Sequence, residues 1–413
     1  MTKLISGLVA IACVAVAEQK PFPAVIPTEK PDRPLSAAME RLYDEWNPHE
    51  DRGNELYSNF KYSKLNFKRE ANVSRRDPTK VIKVDGVYHV WYTGRRSECP
   101  PVGLKNATDT KPGTDWDLAD IWHATSSDGW NWVEDAEPAV HRPPKPEQGN
   151  RSICTPGVLV WKGKYYLYFQ AYNKIGGQEY CPVRVAYADS PNGPWTHHPE
   201  NALVPSPAGS WGNIKINDPC PVVHNGRILI YYKGAPIERG SEYVLRMQGV
   251  AFSDNPLGPF EASKLNPVIN SGHETCMFAW KDGVAALVAL DGPEKNTIQW
   301  SPDGENFKVM SMIQIPPVAP GPFCPTTFDG KGDGRGFTWG LCHINPDGGG
   351  AANESILARF DCDLSLDVDR EYFKRNNLRF NADTYFQKGV ALPPLVKKQI
   401  IQSQKRLDKE TVR

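Results

Sequence analysis

Apolar and polar positions alternate along most of the chain, and the alternation is broken at short intervals by Asp-Gly, Asn-Gly and Lys-Gly pairs. A turn glycine between β-branched and aromatic runs is a strong short-range signal for a β-hairpin. One such hairpin opens at Asp77, runs through Val81-Ile82-Lys83-Val84 to Asp85-Gly86, and returns as Val87-Tyr88-His89-Val90-Trp91-Tyr92. It recurs around Lys162-Gly163 and Asn225-Gly226, then as Glu274-Thr275-Cys276-Met277-Phe278 before Asp282-Gly283. A less clean copy, Cys324-Pro325-Thr326-Thr327-Phe328, precedes Asp333-Gly334. Behind four of the hairpins stands another turn with an aromatic after it: Asp128-Gly129-Trp130, Asn192-Gly193-Pro194-Trp195, Leu257-Gly258-Pro259-Phe260 and Asp303-Gly304-Glu305-Asn306-Phe307. The unit is therefore about four strands, returning roughly every 50 to 80 residues, as propeller blades do.

This pattern predicts an all-β fold, a five-bladed β-propeller, with blades near 72–145, 150–210, 214–270, 272–318 and 322–370. Ahead of it, 18–71 reads as a Pro-rich arm and one short helix over Ser36 to Trp46, N-capped by Ser36. Leu35, Met39, Leu42, Tyr43 and Trp46 give that helix an apolar face, which must be covered by its own ring or by a second subunit. Residues 371–413 read as a charged C-terminal extension with no assigned role. The insertion from Ser97 to Asp120, between the second and third strands of blade one, is a candidate wall for a binding site.

Lys+Arg and Asp+Glu both number 48, so no net charge recommends nucleic acid or an anionic membrane as partner. Lys3, the apolar run Leu4 to Val14 and Ala15-Val16-Ala17 read as a signal peptide over 1–17, and hence as export, with a periplasmic destination. Cys13 after Ala12 keeps a lipoprotein alternative open. Cys154, Cys220, Cys276 and Cys324 start the first strands of four blades and read as small buried residues. Cys99 and Cys181 would suit a disulfide in an oxidising compartment.

The candidate chemistry follows from aligning the hairpins on their turn glycines. Asp77 lies nine residues before Gly86, Asp218 eight before Gly226 and Glu274 nine before Gly283, with Cys154 and Cys324 in comparable places. Innermost propeller strands run along the axis, so these starts converge on one face, where crowded carboxylates repel and raise a pKa. An acid before a strand can also just cap a turn or pair with Arg75 or Arg76, but three in register point to glycoside hydrolysis. Spacing across the channel would suit an inverting pair with room for a water. His273, beside Glu274, is a candidate general acid. His343, at the end of a returning strand, could reach the axis and touch a cation or water. No spacing resembles a zinc ligand set.

With Arg76-Asp77-Pro78, Asn217-Asp218-Pro219, His273-Glu274, Trp116-Asp117-Leu118-Ala119-Asp120-Ile121-Trp122, Asn150-Arg151-Ser152 and Thr155-Pro156-Gly157, the chain resembles glycoside hydrolase family 117 over nearly its whole length. The resemblance implies an exo-acting, inverting hydrolase that releases 3,6-anhydro-L-galactose from the non-reducing end of neoagaro-oligosaccharides. It implies Asp77 as general base, Asp218 as an acid that positions substrate and tunes its neighbours, and a general acid within His273-Glu274, with His273 favoured and the reverse open. Trp116, Trp122, Gln170, Thr155 and Asn217 are the expected sugar contacts. No cofactor is required by this reading, although a divalent cation in the central channel, near His343, is a family feature. Ser36, Ala38 and Arg41 match the family's Ser-x-Ala-x-x-Arg pattern on a swapped helix, which implies a homodimer; Trp46 stands where a tyrosine is usual. Competing readings are a hydrolase of porphyran- or carrageenan-type oligosaccharides, an arabinanase-like α-L-arabinofuranosidase or β-xylosidase, and a glycan-binding propeller without turnover.

Overall fold

The computed structural model describes residues 20–48, 60–175, 180–234, 246–313, 315–325, 328–329, 336–346, 354–362, 364 and 386–387. The leader and nearly all of the C-terminal extension lie outside them. Helix α1 (Ala37–Tyr43) and strand β1 (Lys61–Lys64) come first. Blade one holds β2 (Val73–Arg76), β3 (Ile82–Val84), β4 (Val87–Arg96), β5 (Asp120–Ser126) and β6 (Trp132–Glu134). Here β2 and β3 are two halves of one broken innermost strand, both paired with β4. Blade two is β7 (Ser152–Trp161), β8 (Lys164–Tyr172), β9 (Val183–Ala188) and β10 (Thr196–His197). Blade three is β11 (Ile216–His224), β12 (Arg227–Gly234), β13 (Met247–Ser253) and β14 (Glu261–Ala262). Blade four is β15 (Cys276–Trp280), β16 (Gly283–Val288), β17 (Thr297–Ser301) and β18 (Lys308–Met312). Blade five is β19 (Val318–Pro322), β20 (Trp339–Ile344) and β21 (Ile356–Asp361), completed by the N-terminal β1.

That completion closes the ring. Strand β1 pairs antiparallel with β21, Lys61 facing Asp361 and Lys64 facing Ala358. Strand β22 (Phe386–Gln387) then runs parallel to β1. Phe60 and Tyr62 bury their rings with Phe278, Phe337 and Phe360 between blades four and five, which supplies the apolar area that fastens the seam. Two expectations are corrected here. Lys61–Lys64 belongs to the ring rather than to the arm, and the innermost strand of blade five is Val318–Pro322, not the stretch from Cys324. The Cys-Pro-Thr pattern drew the alignment several residues too far along the sequence.

The innermost strands share a backbone irregularity. Asp77, Thr155, Asp218, Glu274 and Ala319 all adopt left-handed φ, at 50°, 51°, 54°, 58° and 47°. In blades two, three and five the ladder slips at this point, between Cys154 and Gly157, Asn217 and Cys220, and Val318 and Gly321. A bulge of this kind re-aims one side chain out of the alternation, here toward the axis. Thr155 and Ala319, not Cys154 and Cys324, are therefore the counterparts of the three acids. Two residues on, neighbouring blades approach so closely that only glycine fits at two places. A Cβ on Gly157 would lie 2.2 Å from the Pro219 carbonyl oxygen, and one on Gly321 would lie 2.0 Å from that of Thr79.

Helix α1 covers its apolar face on its own ring. Ser36 Oγ accepts from the Met39 amide, capping the helix, and also donates to the Pro267 carbonyl at 2.6 Å. Met39 is buried in the blade-two and blade-three core. Asn270 Nδ2 donates to the Ala38 carbonyl at 2.8 Å, and Arg41 grips Glu294 with Nε and Nη2 at 2.6 and 2.8 Å. Trp46 lies under the Arg41 guanidinium, 5.7 Å from carbon to ring centroid. All eight described cysteines carry free thiols, so the disulfide that Cys99 and Cys181 would suit is not formed; Cys181 is fully buried. No described helix is long and apolar enough to cross a membrane.

The close blade contact yields a first prediction. Gly321→Ala should lower unfolding stability by about 3 kcal/mol, since the obstacle is backbone that cannot rotate away. The denaturation midpoint checks it; an unchanged midpoint would mean the blades are not held at this spacing.

Candidate active site

Adjacent residues of a strand point to opposite faces, and this separates Arg75 from Arg76 on β2. Arg75 turns outward to Glu134 and Glu70. Arg76 turns to the axis, where its guanidinium meets three carboxylates from three segments. Nε donates to Asp77 Oδ2 at 2.8 Å, Nη1 to Asp115 Oδ1 at 2.7 Å and Nη2 to Glu274 Oε1 at 2.7 Å. The ring of Trp116 lies against the same guanidinium at 5.1 Å. Asp115 comes from the long insertion and is held further by Ser355 Oγ at 2.8 Å. The insertion itself is pinned to blade two by Arg151, which clasps Asp117 at 2.7 and 2.5 Å.

The third inner-strand acid, Asp218, has its own cation. Lys233 Nζ stands 2.6 Å from Asp218 Oδ2, and the Glu274 amide donates to the same oxygen at 3.3 Å. Thr155 Oγ1 lies 3.4 Å from Asp77 Oδ2, while its amide donates to Thr93 Oγ1 at 2.7 Å. His343 closes the other side, with Nδ1 accepting from the Asp77 amide at 3.3 Å.

Protonation states diverge across this small space. Burial favours a neutral Asp77, but Arg76 outweighs it and holds the pKa below the usual carboxylate range, so Asp77 is ionised. Glu274 is pushed up to about 8, first by burial and then by the charges on Asp77 and Asp218, against the pull of Arg76. It carries a proton at neutral pH. Asp115 is also raised by burial. His343 is pushed down to about 3 by burial and Arg76, and His273 well below its ordinary value by burial, Lys233 and Arg246. Both imidazoles are neutral.

Most of the expected site residues meet at this mouth. Asp77, Thr155, Asp218, Glu274 and His343 do so directly, and Trp116 through Arg76. His273 stands at the rim, its side chain 29% exposed and its Nδ1 3.6 Å from Asp291 Oδ2. Three expected sugar contacts are buried to the same degree as the mouth acids and bond or pack within the ring. Trp122 is buried in the blade-one core, packed onto Gly94 and under Arg96. Gln170 is buried, its Oε1 accepting from the Asp218 amide at 3.1 Å and its Nε2 donating to Cys154 Sγ at 3.1 Å. Asn217 is buried with its amide donating to the Tyr172 hydroxyl at 2.8 Å. Sequence reasoning missed Asp115, Lys233, Asp291 and Arg246, each distant in sequence from the acid or histidine it serves; Arg76 was legible as a counter-ion of Asp77 alone.

The donor set also bears on a channel cation. One ligand atom each from Asp77, Glu274 and His343 lie within 4.8 Å of one another. His343 Nδ1 accepts from the Asp77 amide and stands 3.4 Å from Asp77 Oδ1, a buried oxygen that has no hydrogen-bond partner. A buried, unpartnered carboxylate oxygen beside a neutral imidazole and a second carboxyl fits a cation.

A five-bladed propeller with inner-strand carboxylates gathered at one mouth has the architecture of a propeller glycoside hydrolase. Zg3597, a family 117 glycoside hydrolase produced by the marine bacterium Zobellia galactanivorans, is similar at 47% identity with a TM-score of 0.72, over 79% of this chain and 96% of that one. BT0996, solved as an RGII complex, is similar in fold alone, at 14% identity and a TM-score of 0.52 over 78% of this chain and 93% of that one. No family model and no curated protein sequence matches. This protein belongs to glycoside hydrolase family 117.

Replacing Arg76 tests the electrostatic reading. In Arg76→Met the clustered acids lose the charge that lowers their pKa values, so the folded state comes to bind more protons than the unfolded chain. Stability then falls as pH rises. The variant should be about 3–5 kcal/mol less stable at pH 8, with the deficit shrinking toward pH 5. Denaturant titrations at the two pH values decide it; a deficit independent of pH would count against the arrangement.

Proposed function

We propose that this protein is an exo-acting, inverting glycoside hydrolase that releases 3,6-anhydro-L-galactose from the non-reducing end of neoagaro-oligosaccharides by cutting an α-1,3 bond. Family membership supports the reaction class, and the motif resemblance supports the sugar. The observation that carries the mechanism is the opposed protonation of two neighbouring groups, Asp77 ionised and Glu274 protonated. Asp77 takes a proton from water as general base. Glu274 gives one to the leaving oxygen as general acid. Asp218, paired with Lys233, places a fixed negative charge beside Glu274 and helps keep its proton on. Trp116, half-buried against Arg76, offers the sugar an aromatic face.

Spacing favours a second reading for the donor. Asp77 and Glu274 approach within 4.8 Å, closer than the roughly 6.5–9.5 Å usual for an inverting pair. His273, farther out at the rim, would leave more room for sugar and water, but acting as the acid would require it to gain a proton it lacks in the free protein. A divalent cation, if used, would be held by Asp77, Glu274 and His343, where it would orient a water by direct ligation.

Incubation with neoagarobiose and neoagarohexaose, read by chromatography and by proton NMR for product anomer, tests the substrate and the stereochemistry. Asp77→Asn should reduce turnover by about 100-fold or more. Activity should fall as pH rises through about 8, where Glu274 loses its proton, and Glu274→Gln should abolish that limb. An unaltered alkaline limb in Glu274→Gln, with an inactive His273→Asn, moves the donor to His273. Folded protein that releases no anhydrogalactose but cleaves another galactan oligosaccharide or a pentoside overturns the substrate.

We also propose export to the periplasm, from the leader, and a homodimer in which the α1 contacts seen here within one chain are exchanged for the same contacts on the partner's ring. Arg41→Met, which removes the grip on Glu294, should convert dimer to monomer in light scattering. A wild type that is monomeric at all concentrations would overturn the swap.

A further inference from the structure

Directly beneath the mouth, the innermost strands form a second ring of five equivalent positions, each two residues past a left-handed residue: Thr79, Gly157, Cys220, Cys276 and Gly321. The thiols thus follow Asp218 and Glu274 on adjacent blades, in Asp218-Pro219-Cys220 and Glu274-Thr275-Cys276. Both sulfurs converge on one carbonyl, Cys220 Sγ at 3.6 Å and Cys276 Sγ at 3.7 Å from Met277 O. Cys220 Sγ further receives the Met277 amide at 3.2 Å and lies 3.6 Å from Lys80 Nζ. Lys80 is itself fixed by the Pro221 and Met277 carbonyls at 2.6 and 2.7 Å. An amide N–H and an ammonium beside a sulfur stabilise its thiolate, the nucleophilic form. Its proximity to that ammonium disfavours a metal ion.

Both sulfurs line the narrow channel that also holds Asp218, Glu274 and Thr155, a cavity of about 40 Å³. That is room for one or two waters. The space admits a water-sized oxidant and disfavours a bulky disulfide.

We propose that Cys220 and Cys276 are a dithiol site that hydrogen peroxide oxidises to a disulfide joining blades three and four beneath the catalytic mouth. The Cys220 thiolate attacks one peroxide oxygen; the S–O bond forms, the O–O bond breaks, and the departing hydroxide takes a proton to leave as water. The Cys276 sulfur then attacks the Cys220 sulfenic acid. The S–S bond forms, the S–O bond breaks, and the hydroxide leaves as water with the Cys276 proton. Two thiols are oxidised, and one peroxide is reduced to two waters.

The test needs no glycoside, so its failure is separate from failure of the hydrolase reading. The folded full chain, checked by near-ultraviolet circular dichroism, is treated with hydrogen peroxide, alkylated, and digested with trypsin without reduction. Cys220 falls in peptide 216–227 and Cys276 in peptide 265–281, each otherwise free of cysteine. The expected result is a linked pair of these peptides that dithiothreitol separates, with oxidised glutathione giving none. Cys276→Ser should yield oxygen added to peptide 216–227 and no link. Cys220→Ser should leave Cys276 a free thiol. Absence of the linked pair from folded wild type overturns the proposal. Oxidation of Cys276 in Cys220→Ser overturns Cys220 as the attacking thiol, and linking by oxidised glutathione overturns the size selection.

Discussion

One guanidinium holds the mouth of this propeller together. Arg76 reaches carboxylates from blade one, blade four and the blade-one insertion, each at 2.7 or 2.8 Å. Without it, three buried acids would face one another across a space too small for solvent to screen them, at a cost of several kcal/mol. With it, the acids sort by the number and sign of their other neighbours. Asp77, bound by Arg76 and fed by the Thr155 hydroxyl, keeps its charge. Glu274 shares the same guanidinium but also faces Asp77 and Asp218, and so keeps its proton. A base and an acid thus coexist within 4.8 Å because one cation serves both unequally.

The backbone that makes this possible is strained in the same way five times. Left-handed conformations at non-glycine residues cost of order 1–2 kcal/mol each and persist only where the surroundings impose them. Here the imposing feature is the convergence of five strands on one axis. A regular ladder would send alternate side chains into the blade faces; the bulge turns one of them into the channel instead. Three blades use that position for a carboxylate, one for the hydroxyl of Thr155 and one for Ala319. In the next layer glycine stands where a neighbouring carbonyl intrudes, at Gly157 and Gly321.

The N-terminal segment is connected to the mouth through the loop that carries Glu294 and Asp291. Arg41 of α1 grips Glu294, whose amide is fixed by Ser271 Oγ at 2.8 Å. The same loop carries Asp291, which faces the rim histidine His273 and pairs with Arg246. Where α1 docks therefore bears on where His273 sits. The segment that closes blade five follows shortly after α1, so the N-terminal residues both seal the ring and brace one edge of its site.

The blade count and the inner-strand acids were legible in the sequence because they rest on local physics. Turn chemistry is written in consecutive residues: Ser126 and Asp128, and again Ser301 and Asp303, bind their own turn amides. Hairpin pairing and the recurrence of Asp77, Asp218 and Glu274 ahead of turn glycines likewise need no distant partner. What lay beyond the sequence was every feature set by blades meeting one another. The identity of the fifth blade's inner strand, the true counterparts Thr155 and Ala319, and the burial of Trp122, Gln170 and Asn217 are such features. So are the cations Arg76 and Lys233 that divide charge among the acids, for a pKa depends on what stands within a few ångströms, and those neighbours come from residues up to 266 positions apart. Sequence periodicity determined the elements and where the acids begin; only closure of the ring decided which of them keeps a proton.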